Sequence, residues 1–256
     1  MRPDINLPPR VYYRLSDFTQ ITKRKDGSVI HKSRPDFFDK KACLLNALSV
    51  FENSEISILA DNVGDETWLW LQENCGHLSL SRTQYGNGAA SFRDVLEQAV
   101  NLEDNRVVYF LEDDYLHLPG SEKVLLEGFK YADYLTLFDH PDKYINGGEG
   151  KAGVPGNPLV TDESEQTRVY RTHSTHWKIT NSATMTFATS RDFLRADKKV
   201  IDFYVKGDFP RDYRLFRDLL DKVGRKLCLP LPSWSTHCET AFLAPYRDWA
   251  ALSKSS

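Results

Sequence analysis

Arg106-Val107-Val108-Tyr109-Phe110-Leu111-Glu112-Asp113-Asp114 is an unbroken apolar run that ends in three adjacent carboxylates. A run without polar alternation is the pattern of a strand whose two faces are both covered by helices. Working outward, strand and helix signals alternate. Gly86-Asn-Gly-Ala-Ala-Ser-Phe opens a helix to Val100, and His77-Leu-Ser-Leu reads as a strand. Asp65 reads as the N-cap of a helix through Trp68 and Leu71, since its carboxylate can accept from free backbone N–H groups. Glu55-Ile-Ser-Ile-Leu-Ala is a short buried strand, residues 37–51 have helical spacing, and Val11-Tyr-Tyr-Arg-Leu is the first strand. The polar, basic segment 19–35 reads as a surface loop. On the other side lie a helix over 121–131 and a strand over 134–138. This rhythm predicts an α/β fold with a mostly parallel, doubly wound sheet flanked by helices.

The rhythm breaks over 140–167, which contains Gly147-Gly-Glu-Gly, Gly153 and Pro155-Gly-Asn-Pro. So long a loop is either a functional lid or disordered. Beyond it come a strand over 184–188, helices over 190–204 and 211–223, a strand over 226–229, and the tail Pro232-Ser-Trp-Ser-Thr-His-Cys-Glu239. Residues 1–256 read as one domain with halves at about 8–139 and 168–250, joined by a flexible loop over 140–167.

Composition excludes several classes. The formal charge of −3 gives no general attraction to nucleic acid. No stretch of apolar residues is long enough for a membrane span. The start, Met1-Arg-Pro-Asp-Ile-Asn-Leu-Pro-Pro, has no apolar signal region. Cys43, Cys75, Cys228 and Cys238 form no paired motif and read as free thiols of a reducing compartment. The expectation is a cytoplasmic protein, with room for peripheral association at the inner face of the membrane.

The chemistry starts at Glu112-Asp113-Asp114. Adjacent carboxylates repel, and a hard divalent cation, Mg²⁺ or Mn²⁺, relieves the repulsion and could bridge a diphosphate. The alternative is a solvated acidic turn. Asp61-Asn62 ends another strand and suits either a base or ribose contact or a capping turn. Gly86-Asn87-Gly88 could aim backbone N–H groups at phosphate, or simply make a tight turn.

In their order, Val11-Tyr-Tyr-Arg14, Ile58-Leu-Ala-Asp61-Asn-Val-Gly, Gly86-Asn-Gly-Ala-Ala-Ser-Phe-Arg93 and Phe110-Leu-Glu-Asp-Asp-Tyr-Leu116 resemble the GT-A-fold glycosyltransferases. The triplet is similar to the EDD form of their DxD motif, and several bacterial enzymes of surface-polysaccharide synthesis look like this, tail included. The resemblance implies a GT-A-like fold with a nucleotide-sugar-binding first half and an acceptor-binding second half. It implies donor contacts from Tyr13, Arg14, Asp61, Asn62, Asn87, Gly88, Ser91, Arg93, Glu112 and Asp113. It also implies a metal, Mn²⁺ or Mg²⁺, on Asp114 and His237. The partners would be a nucleotide-sugar donor, UDP-linked in first expectation, and a glycan or lipid-linked glycan acceptor.

Inverting and retaining transfer both stay open; an inverting transfer needs a carboxylate base, and in a retaining one Asp212 loses that role. Asp212 in Lys206-Gly-Asp-Phe-Pro-Arg-Asp212 is the first candidate, with Asp208 and Glu239 in reserve. Asp212 equally suits a helix N-terminal charge. Trp177 and Trp234 suit acceptor stacking or core packing. His173 and His176 lack the further partners that zinc needs. A nucleotidyltransferase or pyrophosphorylase is the enzymatic alternative, but Arg14-Leu-Ser-Asp-Phe has none of the glycines its phosphate loop would need. A non-catalytic glycan-binding module is the other alternative.

Overall fold

The computed structural model describes residues 2–18, 21–23, 29–144 and 169–254. Along the chain lie β1 (Arg10–Leu15), β2 (Ile21–Lys23), β3 (Val29–His31), α1 (Lys40–Val50), β4 (Glu55–Asp61), α2 (Asp65–Cys75), β5 (Ser79–Thr83), α3 (Gly88–Val100), β6 (Val107–Glu112), β7 (Tyr115–His117) and α4 (Ser121–Gly128). They are followed by β8 (Tyr134–Leu135), a 3-10 turn (Pro141–Lys143), β9 (Val169–Arg171), β10 (His176–Thr180), β11 (Phe187–Ser190), α5 (Arg191–Val205), α6 (Asp212–Asp221), β12 (Leu227–Leu231), β13 (Ser235–His237), a 3-10 turn (Thr240–Phe242) and α7 (Trp249–Ser253).

Nine strands form one sheet in the order β5-β4-β1-β6-β11-β8-β12-β10-β9. The first four are parallel, as the strand–helix rhythm predicts. The other half is mixed: β11 runs antiparallel to β6 and β8, β8 is parallel to β12, and β10 is antiparallel to β12 and β9. Antiparallel neighbours need no helical crossover, so β9 and β10 follow each other through a short turn.

The apolar run of β6 divides between the two faces. Val107, Tyr109 and Leu111 join a core with α1, α4 and the C-terminal tail. Val108 and Phe110 join a second core with α3, α5 and α6. Strand pleat explains this, since successive side chains point to opposite faces. The same alternation puts Tyr13 with Val11 and Leu15 in the first core, and turns Arg14 toward α3.

Two expectations change. The segment read as a surface loop contains a hairpin, β2 paired with β3 outside the main sheet. Asp65 is the first residue of α2, and Gly64 takes the cap position. The side chain serving that helix start is Asp17, which accepts from Gly64 N at 2.7 Å and from Thr67 Oγ1 at 2.9 Å. The flexible loop or lid expected over 140–167 lies outside the described residues from 145 onward. Among the described residues, no helix is long and apolar enough to cross a membrane.

Candidate functional site

β1, β4 and β6 are parallel, so their carboxyl ends share one edge, which is where open α/β sheets bind ligands. A cavity of about 370 Å³ opens there, bordered by Arg14, Asp61, Asn87, Gly88, Ser91 and the whole Glu112-Asp113-Asp114 triplet. Eight of the residues singled out from sequence thus converge. Phe18 and Phe209, both more than half exposed, also border it.

The start of α3 is built by its neighbours. Asp61 is buried and accepts from Thr83 Oγ1 (3.0 Å), Tyr85 N (2.7 Å) and Gly86 N (3.1 Å), fixing the turn ahead of the helix. Gly86 sits at φ +69°, in the left-handed region, and a Cβ there would lie 2.9 Å from the Asn62 side chain. Asn87 caps the helix through Ala90 N at 2.8 Å, and Ala89 N donates to the Asp208 carbonyl at 3.2 Å. Those amides are engaged, so the helix offers the cavity its positive dipole end rather than free N–H groups. Arg14 is buried and ties β1 to this start, donating to Gly88 O (3.0 Å) and Ser91 Oγ (3.2 Å).

Every carboxylate of the triplet has a basic partner. Arg14 pairs with Glu112 at 3.1 Å and Lys40 with Asp113 at 2.8 Å. Asp114 Oδ2 faces Arg34 Nη2 and His237 Nε2, each at 2.9 Å, and Lys32 Nζ at 3.8 Å. Burial raises the Asp113 carboxyl above its ordinary range, with Lys40 opposing and the Asp114 charge adding to the rise. Burial pushes Asp114 up as well, but His237, Lys32 and Arg34 outweigh it and hold that carboxyl well below its ordinary range. The two neighbouring carboxyls are thus shifted in opposite directions.

His237 reaches Asp114 because β13 pairs antiparallel with β7, setting His237 opposite Tyr115. The two rings stack at 5.1 Å. Glu239 Oε2 lies 3.9 Å from the other imidazole nitrogen, on the side where a partner would orient a ligating histidine. The Lys32 ammonium stands 3.4 Å from His237 Nε2, so a cation already rests against both expected ligand atoms. Among the described residues no three His, Cys, Asp or Glu side chains surround one point. Asp114 and His237 offer one carboxylate and one imidazole, a donor pair that could hold a divalent ion.

Asp212 opens α6 and borders a second cavity of about 130 Å³ with Thr136, His140, Lys143, Ser182, Thr184 and Tyr213. Burial pushes its carboxyl up to about 6, and the Glu112 charge adds to the rise. Thr186 joins a residue of each wall: its hydroxyl accepts from Glu112 N at 3.1 Å, and its N–H donates to Thr184 Oγ1 at 3.2 Å. The reserve bases are placed differently: Asp208 is exposed, and Glu239 pairs with Lys32 at 3.6 Å.

Five expected contacts lie elsewhere. Tyr13 is fully buried in the first core, where strand alternation turns it away from the cavity, and its hydroxyl has no partner among the described residues. Asn62 takes φ +56° in the turn and packs on Gly86. Arg93 donates to the carbonyls of Val205 and Gly207, tying α3 to the end of α5. Trp177 is fully buried, its indole N–H on Thr172 Oγ1 at 3.1 Å. Trp234 packs partly buried against the same core. No sugar ring can stack on Trp177, whose apolar faces are already covered. Missed from sequence were Lys32, Arg34 and Lys40; the signal available was a run of cations, Lys23, Arg24, Lys25, Lys32 and Arg34, in a chain with few other such clusters.

No family model matches the sequence, and no curated protein matches it. Among solved structures, GalNAc-T7 with UDP, GalNAc and Mn²⁺ superposes with a TM-score of 0.55 at 12% identity, covering 90% of this chain and 44% of that one. This chain thus spans less than half the length of that protein. A nucleotidyl transferase from Methanothermobacter thermautotroptrophicus matches with a TM-score of 0.45 at 11% identity, covering 86% and 85% of the two chains. A197 from STIV matches at 0.44 and 12%, covering 93% and 92%. The likeness to GalNAc-T7 shows a GT-A-like fold.

Proposed function

We propose that this chain is a glycosyltransferase, moving a sugar from a nucleotide-diphosphate donor to a hydroxyl of a glycan or lipid-linked glycan. UDP as the nucleotide, surface polysaccharide as the product and the cytoplasmic face of the membrane as the setting belong to the same proposal. One observation carries it: the carboxylate triplet at the end of β6 borders a cavity of about 370 Å³, and its Glu112 charge reaches the raised carboxyl of Asp212. The likeness to the UDP- and Mn²⁺-bound GalNAc-T7 supports it at the level of fold.

Phe18 and Phe209 present aromatic faces to the cavity, suited to the base or the sugar. The dipole end of α3, Arg34 and Lys40 draw the diphosphate inward. Asp114 and His237 are the residues that would hold Mn²⁺ or Mg²⁺, which supplies charge neutralisation at a departing diphosphate. Asp212 takes the proton from the acceptor hydroxyl, which enters from the second cavity past Ser182 and Thr184. The polar second cavity replaces the two tryptophans as the acceptor's place.

Thermal unfolding with UDP plus Mn²⁺ tests the reading. Wild type should be stabilised, UDP with EDTA should stabilise it less, and Asp114→Ala should lose the metal-dependent part. Release of UDP from a panel of UDP-sugars should follow the same pattern. No metal-dependent shift and no turnover with any nucleotide sugar would refute the proposal.

A further inference from the structure

Four carboxylates and four basic side chains face one another at the triplet: Glu112, Asp113, Asp114 and Glu239 against Arg14, Lys40, Arg34 and Lys32. The site balances its charge with the chain's own groups. A nucleotide diphosphate adds negative charge and a divalent ion adds positive charge, so the two together preserve the balance while either alone disturbs it. The basic groups differ in how firmly they are held. Arg34 is fixed at two points, its Nη1 donating to Cys238 O at 2.7 Å and its Nη2 to Asp114. Its guanidinium also lies 4.5 Å from the Phe38 ring centre.

Lys32 is different. Its ammonium lies 3.4 Å from His237 Nε2, 3.6 Å from Glu239 Oε2 and 3.8 Å from Asp114 Oδ2, central to three groups and in a close ion pair with none. Its backbone is anchored one residue on, where Ser33 O accepts from Thr240 N at 2.8 Å and Ser33 Oγ donates to Thr240 Oγ1 at 3.1 Å. A flexible four-carbon stem thus carries a point charge from a fixed base to the spot that Asp114 and His237 define.

We propose that Lys32 is a displaceable internal cation: it holds the divalent-ion position between Asp114 and His237, and yields it when metal and diphosphate enter together, swinging onto the diphosphate. This rests on the glycosyltransferase reading only for the identity of the ligands. A metal ion alone must expel Lys32 without giving it a new partner, whereas metal with nucleotide supplies one. Binding of the two ligands is therefore strongly cooperative, and Lys32 is the source of the coupling.

Direct binding of Mn²⁺, read by electron paramagnetic resonance with and without UDP, tests this on the folded full chain. In wild type, UDP should tighten Mn²⁺ binding. In Lys32→Met, Mn²⁺ without UDP should bind about fivefold more tightly, the effect of removing one competing ion pair. UDP affinity at saturating Mn²⁺ should fall about tenfold with the loss of one charge-assisted contact. Lys32→Arg, which keeps the charge, should restore weak Mn²⁺ binding without UDP. Unchanged or weaker Mn²⁺ binding in Lys32→Met would overturn the proposal while leaving the enzyme reading intact. Failure of wild type to bind either Mn²⁺ or UDP would overturn both.

Discussion

Replacing Asp212 by Asn separates its chemical role from its structural one, because the two act in opposite directions. Burial raises this carboxyl from 3.8 to about 6. At pH 7 about nine-tenths of it is ionised and ready to accept a proton, and at pH 5 about one-tenth is. UDP release from the cognate UDP-sugar, with water or acceptor, should therefore fall about tenfold between pH 7 and pH 5. A carboxyl of ordinary pKa would leave that range flat. Asp212→Asn should cost about 10²- to 10⁴-fold in rate, the usual contribution of a positioned base, and abolish the acid limb. For stability the sign reverses. A carboxyl whose folded-state pKa is raised contributes fully below pH 3.8, and that contribution is lost as pH rises through 6. At pH 7 the ionised Asp212 costs the fold at most about 3 kcal/mol. The Asn variant should thus melt several degrees higher than wild type at pH 7, by about 2–4 °C per kcal/mol, and show no gain at pH 3.5. A variant within threefold of wild-type rate, or one that melts lower at pH 7, would refute the assignment of Asp212 as base.

His117 is fully buried beside the Tyr109 hydroxyl, and burial drives its pKa down to about 3. The unfolded chain binds the proton that the folded chain refuses, so stability falls with falling pH below about 6.5, by about 2 kcal/mol at pH 5 relative to pH 8. Urea unfolding at the two pH values should show that slope in wild type and lack it in His117→Gln. A Cβ on Gly128 would meet Trp177 at 2.7 Å and Leu135 at 2.8 Å. Gly128→Ala should cost about 1–3 kcal/mol by overpacking, seen as a lower Tm with UDP affinity unchanged. Arg14→Met breaks a mostly buried ion pair with Glu112 and two bonds to the start of α3. It should lower stability by about 3 kcal/mol and weaken UDP binding by calorimetry.

The sheet edge that carries the site was legible because its signals are local. An apolar run ending in acids marks β6, and glycines around Asn87 mark a turn and a cap. The remaining elements fell where sequence alone cannot see. Strands as short as β2 and β3 are below any usable periodicity, so the hairpin that delivers Lys32 and Arg34 read as a loop. A cation destined for an acidic cluster looks, in sequence, like a cation destined for water. Trp177 lies on a strand reading His176-Trp-Lys-Ile-Thr, where half the positions face inward and nothing local says which half. The pairing of Asp114 with His237, more than a hundred residues apart, was implied only by the family resemblance; the β7–β13 register that realises it has no local mark.

That register has a consequence for the timing of synthesis. During translation β6 and its three acids emerge long before residue 237, and Asp113 and Asp114 spend that interval side by side without the imidazole that later holds Asp114. The three-residue strand β13, late in the chain, completes the centre. A nascent chain halted before Ser235 would contain most of the sheet and the whole acidic triplet, yet lack His237 and Glu239, which complete the surroundings of Asp114.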